Sequence, residues 1–188
     1  AFDPSYISKS GKCTPYMGRF WSGCAKMAKP GLEISGIGLL DMDLHTCFHL
    51  EAVQTPPTKT LEQVKYTLID WYLHVLRTRK ETLQRLTNYV VADAYFSKSA
   101  FVDGALEMEF HVISRFRDDA YFRYLTREQL TGKRGRPKLY DGKIELKHLE
   151  EDRFEIINLE NGQGRILSAV VHSRSLSRNI LLCIWESE

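Results

Sequence analysis

The chain is poor in cysteine: Cys13, Cys24, Cys47 and Cys183 are the only four in 188 residues, and no two form a C-x-x-C pair. That spacing excludes a disulfide framework and a zinc-ribbon arrangement, and the four read as free thiols. An excess of one charge is also lacking, because 26 Lys and Arg stand against 24 Asp and Glu for a formal net charge of +2. Any argument for a nucleic-acid partner must therefore be local. No apolar run reaches the roughly 18 residues of a membrane-spanning helix, and the N-terminus lacks the basic, apolar and small-residue series of a signal peptide. The expectation is a cytosolic protein with no membrane contact. What is present, 43% hydrophobic and 27% charged residues, suits an ordinary globular chain with a core of its own. The first residue is Ala rather than Met and stands in a strand-like run, which reads as a fragment.

Read for organisation, Ala1 to Ile7 is a strand followed by a long loop from Lys9 to Lys29, rich in Gly, Ser, Pro and basic residues. Gly31 to Leu40, a turn at Asp41-Met42-Asp43, and His45 to Val53 read as a hairpin that ends at Pro56-Pro57. Thr60 and Gln63 have capping-box spacing, and Leu61, Val64, Leu68, Tyr72 and Val75 recur at helical intervals, which predicts one long helix to about Leu86. Tyr89 to Ala92 is a short strand ending on Asp93. Ser97 and Ser99 are candidate caps for a helix carrying Phe101, Leu106 and Met108, and Phe110 to Phe116 is a further strand. The order is β-β-β-α-β-α-β, an α/β fold with a mixed sheet covered by helices. Beyond Arg117 the chain becomes basic and turn-rich. Phe154 to Ile157, Arg165 to Val171 and Asn179 to Trp185 then predict a small antiparallel sheet.

Asp3 and Asp93 are the candidate chemical pair, since each sits in or at the end of an apolar strand, where a carboxylate is costly without a cation. Two such carboxylates on neighbouring strands suit Mg²⁺, with Mn²⁺ as a substitute, and a pair of such ions can serve phosphoryl transfer. The plainer reading of either Asp is a turn former or helix cap. Asp41, Asp43, Asp118 and Asp119 have that plain explanation and are left out of the site. His45, Cys47 and His49 alternate along one strand and make an imaginable metal site, although a half-buried strand explains them without one. Arg115 and Arg117 are candidate phosphate clamps or solvated edge charges. Lys133, Arg134, Arg136 and Lys138, around an Arg-Gly-Arg-Pro core, suit contact with a DNA backbone, as an extended segment or as a solvated basic loop.

The motifs Asp3-Pro4-Ser5-Tyr6-Ile7-Ser8-Lys9-Ser10-Gly11-Lys12, Phe20-Trp21-Ser22-Gly23-Cys24, Gly31-Leu32-Glu33-Ile34-Ser35 and Glu51 to Pro56 come first. Asp93-Ala94-Tyr95-Phe96, Phe101-Val102-Asp103-Gly104, His111 to Asp119, and Lys133 to Lys138 with Tyr140-Asp141-Gly142-Lys143 follow in order. In these the chain resembles the DDE transposases of bacterial insertion sequences, whose catalytic core is ribonuclease H-like. The resemblance implies a core over 1–119, with Asp3 the first acid on the first strand and Asp93 the second at the end of the fourth. A basic, β-rich insertion would occupy 120–188. It further implies Mg²⁺-dependent cleavage of double-stranded DNA at transposon ends, and attack by the freed 3′-hydroxyl on target DNA. A homodimer in a paired-end complex and a bacterial, nucleoid-associated cytoplasmic location belong to the same implication. The family's third acid is a Glu in a Tyr-x-x-Arg-x-x-x-Glu helix pattern that this chain lacks. Glu186 and Glu188 instead follow a strand, so the third acid is expected beyond the chain. Trp185 is a candidate for holding a flipped base, its plain reading being a buried strand tryptophan. Competing expectations are a nuclease of the same fold without strand transfer, and a DNA-binding fragment without catalysis.

Overall fold

A computed structural model describes residues 1–11, 13–128, 137–159 and 164–187. It is a mixed α/β protein, with sheets and few helices among the described residues, divided into two compact units, Ala1–Arg115 and Phe116–Glu188.

The first unit opens with four strands, β1 (Phe2–Ser8), β2 (Gly18–Ser22), β3 (Met27–Asp41) and β4 (Thr46–Gln54). The long strand β3 is the spine. Gly31 pairs with both β1 and β2, while Ile34 to Ile37 pair with both β1 and β4. A strand residue has only two edges, so β2 and β4 share the edge opposite β1, and all pairings are antiparallel. Three helices follow, α1 (Thr58–Gln63), α2 (Leu68–Arg77) and α3 (Lys80–Gln84). Next come β5 (Tyr89–Ala92), a one-turn 3₁₀ helix (Ala94–Phe96), α4 (Ser99–Glu107) and β6 (His111–Ser114). β5 and β6 pair in parallel, Val90 with Val112, as a helix-connected βαβ unit must. The core joins Phe2 and Ile37 of the sheet to Tyr72 and Leu76 of α2 and to Phe96, Phe101 and Phe110.

Four expectations need correction. The loop expected from Lys9 to Lys29 contains β2, whose Phe20 is buried while Trp21 stays exposed; the ladder to β3 makes the strand, and the surrounding glycines and lysines conceal it. The single helix expected to Leu86 is three helices. The backbone turns left-handed at Lys65, φ +57°, and Thr67 starts a new helix. Its hydroxyl accepts from the Asp70 N–H while the Asp70 carboxylate accepts from the Thr67 N–H, so the capping box is Thr67/Asp70 and not Thr60/Gln63. Neither Ser97 nor Ser99 caps α4, whose N-cap position is Lys98.

The second unit is one antiparallel sheet of β7 (Phe122–Leu125), β8 (Tyr140–Lys143), β9 (Glu155–Asn158), β10 (Arg165–Ser173) and β11 (Arg178–Glu186). Its order is β11-β10-β7-β8, with β9 pairing the start of β10. One face carries the core, Phe122, Tyr124, Ile144, Leu167, Val171 and Leu182. Trp185 is not buried. Strand alternation turns Leu182 and Ile184 to the core and puts Leu181, Cys183 and Trp185 on the other face, where Trp185 is 65% exposed. Among the described residues no helix is long and apolar enough to cross a membrane.

Candidate active site

Asp3 is held by the closeness of β1 to β3. Tyr6 Oη donates to the Pro30 carbonyl at 2.7 Å. The Tyr6 ring lies against Gly31, where a Cβ would strike the Ile7 carbonyl and that ring, so only glycine permits this approach. In that register Asp3 stands opposite Gly36, a partner with no side chain, and its carboxylate is exposed. Ser5 Oγ, two residues on and on the same face, donates to Asp3 Oδ2 at 3.3 Å.

Asp93 follows β5 directly and ends it. Its Oδ1 accepts the Tyr95 N–H at 3.0 Å, capping the 3₁₀ turn, and the Ser114 hydroxyl donates to its carbonyl at 2.7 Å, tying together the ends of β5 and β6. The carboxylate is exposed. β1 and β5 contact each other, so the two aspartates belong to neighbouring strands. They do not share one cavity: Asp93 borders a hollow of about 380 Å³, whereas Pro4 is the β1 residue that lines it. Phe2, Pro4 and Tyr6 face the helices, and alternation puts Asp3 on the opposite face.

The hollow contains a second carboxylate of consequence, Glu33 of β3, only 6% exposed. Tyr72 of α2 donates to Glu33 Oε1 at 2.6 Å. Burial first, then the Glu33 charge, pushes the Tyr72 phenol far above its ordinary pKa, so it is a fixed donor. Burial, followed by the charges of Glu33 and Asp93, likewise raises Tyr95, and Lys98 Nζ sits 3.5 Å from the centre of the Tyr95 ring. Trp21 and Arg19 complete the rim. Glu33 had a sequence signal that went unused: on β3 it shares the buried parity of Gly31, Ser35 and Ile37, where a carboxylate needs a partner.

By donor type, exposed carboxylates suit a hard cation such as Mg²⁺ that keeps several of its waters. Among the described residues no group of three or more His, Cys, Asp or Glu is placed to hold a metal. His45 lies in the β3–β4 turn with φ +48°, and Cys47 is exposed in a stretch of β4 exposed on both faces, so the half-buried strand expected there is not found. All four cysteines are free thiols. Asp41 Oδ1 accepts from the Asp43 and Leu44 N–H groups, as a turn former does.

The basic residues are dispersed. Arg115 is exposed just after β6 in the first unit. Arg117, in the second, pairs with Asp119 at 3.2 Å. Lys138 is gripped by Asp141 and Glu128 at 3.1 and 3.3 Å, which raises its pKa. Lys133, Arg134 and Arg136 lie outside the described residues. Glu186 pairs with Arg165 at 2.8 Å.

Compared with known proteins, the chain matches no family model, no curated protein and no solved structure.

Proposed function

We propose that this chain carries the catalytic core of a DNA transposase of the DDE type, with a ribonuclease H-like arrangement in the first unit and a β-rich insertion in the second. The observation that supports it best is the pairing of position with order. An acid on the first strand and an acid at the end of the strand that opens the βαβ unit come to adjacent strands although ninety residues separate them. Asp3 and Asp93 would hold Mg²⁺ or Mn²⁺. When bound, the metal supplies Lewis-acid stabilisation of the attacking and leaving oxygens of a phosphodiester displacement. Asp93, pinned through its capping bond to Tyr95 and through Ser114, presents its remaining carboxylate oxygen in a fixed direction. Asp3, beside side-chain-free Gly36, leaves room for a phosphate. Glu33, held by the Tyr72 hydroxyl, sets a third carboxylate in the neighbouring hollow. The reaction is hydrolysis of one strand at the transposon end, then attack of the freed 3′-hydroxyl on target DNA.

The test is titration of Mg²⁺ and Mn²⁺ into the folded chain, read by calorimetric heat or chemical shifts, with Asp3→Asn and Asp93→Asn as controls. Saturable binding lost in both folded variants supports the site. Binding that survives both substitutions, or no binding in a well-folded chain, removes the metal role of the pair. It then favours the reading of a DNA-binding unit without catalysis.

A further inference from the structure

The sheet of the second unit has a face that its core does not use. Along β7, Phe122 and Tyr124 point to the core and Arg123 to the other side; along β10, Val171 and Ser173 are buried and His172 points away. Register joins these outward residues into one row, since Arg123 pairs with His172 on β10 and with Lys143 on β8, and cross-strand partners share a face. Tyr121, which precedes β7, accepts the Arg174 N–H through its carbonyl and adds a second row. Three cations surround the one Tyr121 ring: Arg123, Arg174 and Lys143 lie 5.4, 5.5 and 5.7 Å from its centre. Arg123 also lies 5.1 Å from the ring of Tyr140, which packs at 4.7 Å on His172.

Like charges gathered this closely repel unless anions lie among them. Of the three, Lys143 has a carboxylate, Glu145 at 2.8 Å, whereas neither Arg123 nor Arg174 makes a salt bridge among the described residues. Elsewhere in the same unit arginines are matched: Arg127 with Asp152, Arg153 with Asp141 and Glu150, Arg165 with Glu151 and Glu186. Aromatic rings beneath the guanidinium groups limit their motion, so less freedom is lost when a phosphate is gripped.

We infer that this face, built on Arg123, Arg174 and Lys143 over Tyr121 and Tyr140, is a docking surface for the phosphodiester backbone of double-stranded DNA. The choice of DNA among polyanions rests on the function proposed above; the cationic rows themselves do not. The proposed surface shares no residue with the basic segment around Lys133 to Lys138 and needs no metal.

The experiment is fluorescence anisotropy of a labelled DNA duplex in EDTA, with the whole chain titrated at several salt concentrations. The Arg123→Ala/Arg174→Ala variant is compared with wild type and with Lys147→Ala in an exposed turn. Each phosphate contact contributes about 0.9 to the slope of log affinity against log salt, so the arginine variant should lose about 2 from that slope and bind at least about tenfold more weakly. The Lys147→Ala variant should bind as wild type does. If the double variant unfolds by circular dichroism, Arg174→Gln and Lys143→Gln singly replace it, each expected to remove about 1 from the slope. An unchanged slope in folded variants overturns the proposal, as does wild type that binds no duplex. Metal titration fails or succeeds separately: binding through this face with no metal at Asp3 and Asp93 overturns the catalytic reading alone, whereas a metal site with an unchanged slope overturns this surface alone.

Discussion

The two units solve the burial problem in different ways. Ala1–Arg115 sandwiches its apolar residues between strands and helices, and rings from separate elements meet there: Phe2 with Tyr72 and Phe96 at 5.6 and 5.5 Å, and Phe96 with Phe101 at 4.6 Å. Phe116–Glu188 has, among its described residues, strands and one short 3₁₀ helix, Glu151–Arg153, so its sheet buries one face and leaves the other to water. Its rim is laced with ion pairs: Arg153 joins Asp141 and Glu150, and Arg165 joins Glu151 and Glu186. The lesson is that polar groups are placed according to what each architecture leaves open. In the layered unit the buried carboxylate Glu33 requires a dedicated donor, Tyr72, and the exposed Asp3 and Asp93 sit where strands end or a neighbour lacks a side chain. In the one-faced sheet, charge is free to spread over a whole surface.

The largest effect expected is on the layered core. Phe101, fully buried under Phe96, should cost about 3–5 kcal/mol on truncation to Ala, and Leu167→Ala in the second unit about 2–5 kcal/mol. Urea unfolding measures each, and hydrogen exchange should show protection lost chiefly in the unit that carries the substitution; uniform loss over the chain would mean that the units do not differ as described. Next, Tyr72→Phe removes the donor of a buried carboxylate and should cost about 1–3 kcal/mol, with much of that recovered by adding Glu33→Gln, because the lone charge is then gone. A double-mutant cycle by denaturant titration reads the coupling; additive costs would break the pairing argument.

Thr67→Ala, which removes one arm of the capping box of α2, should cost about 1 kcal/mol, and Thr60→Ala should cost clearly less, since Thr60 has no cap role. The smallest effect is a pH dependence. The Arg153 guanidinium, then Lys138 and the Arg127 N–H, hold the Asp141 carboxyl well below the usual carboxylate range, against a burial penalty of opposite sign. A depressed folded pKa means that the stabilisation is complete above the unfolded value, about 3.9, and is lost as pH falls toward the folded one. Stability measured from pH 5 down to pH 2 should therefore fall less steeply in Asp141→Asn than in wild type. Glu51, lowered by its paired hydrogen bonds from Arg79, predicts the same sign for the first unit.

Legibility followed the range of the interactions. The β3–β4 hairpin was readable because Asp41 makes its turn with its own neighbours, and β5, α4 and β6 because period two gives way to period 3.6 and back. β2 was not, because five residues among glycines and lysines become a strand only when β3 is there to pair with them. The helix break at Lys65–Thr67 was hidden for another reason: Leu61, Leu68, Tyr72 and Val75 keep helical spacing straight across it, so periodicity alone ran the helices together. Asp3 and Asp93 stood out as carboxylates in apolar strands. Glu33 stood in an equally apolar run, yet its importance depends on Tyr72, thirty-nine residues away, and no local pattern announces that partner.

By itself the amino-acid sequence determined the α/β composition, the alternating and helical segments, the free thiols, and one aspartate in a strand and another at a strand's end, because each follows from neighbours along the chain. Tertiary structure alone decided that Asp93 borders the acidic hollow and Asp3 does not, that Trp185 faces water, and that Arg123, Lys143 and Arg174 gather on one ring. Those outcomes are set by strand register and by which face a core claims, and both arise from pairings between residues far apart in the chain.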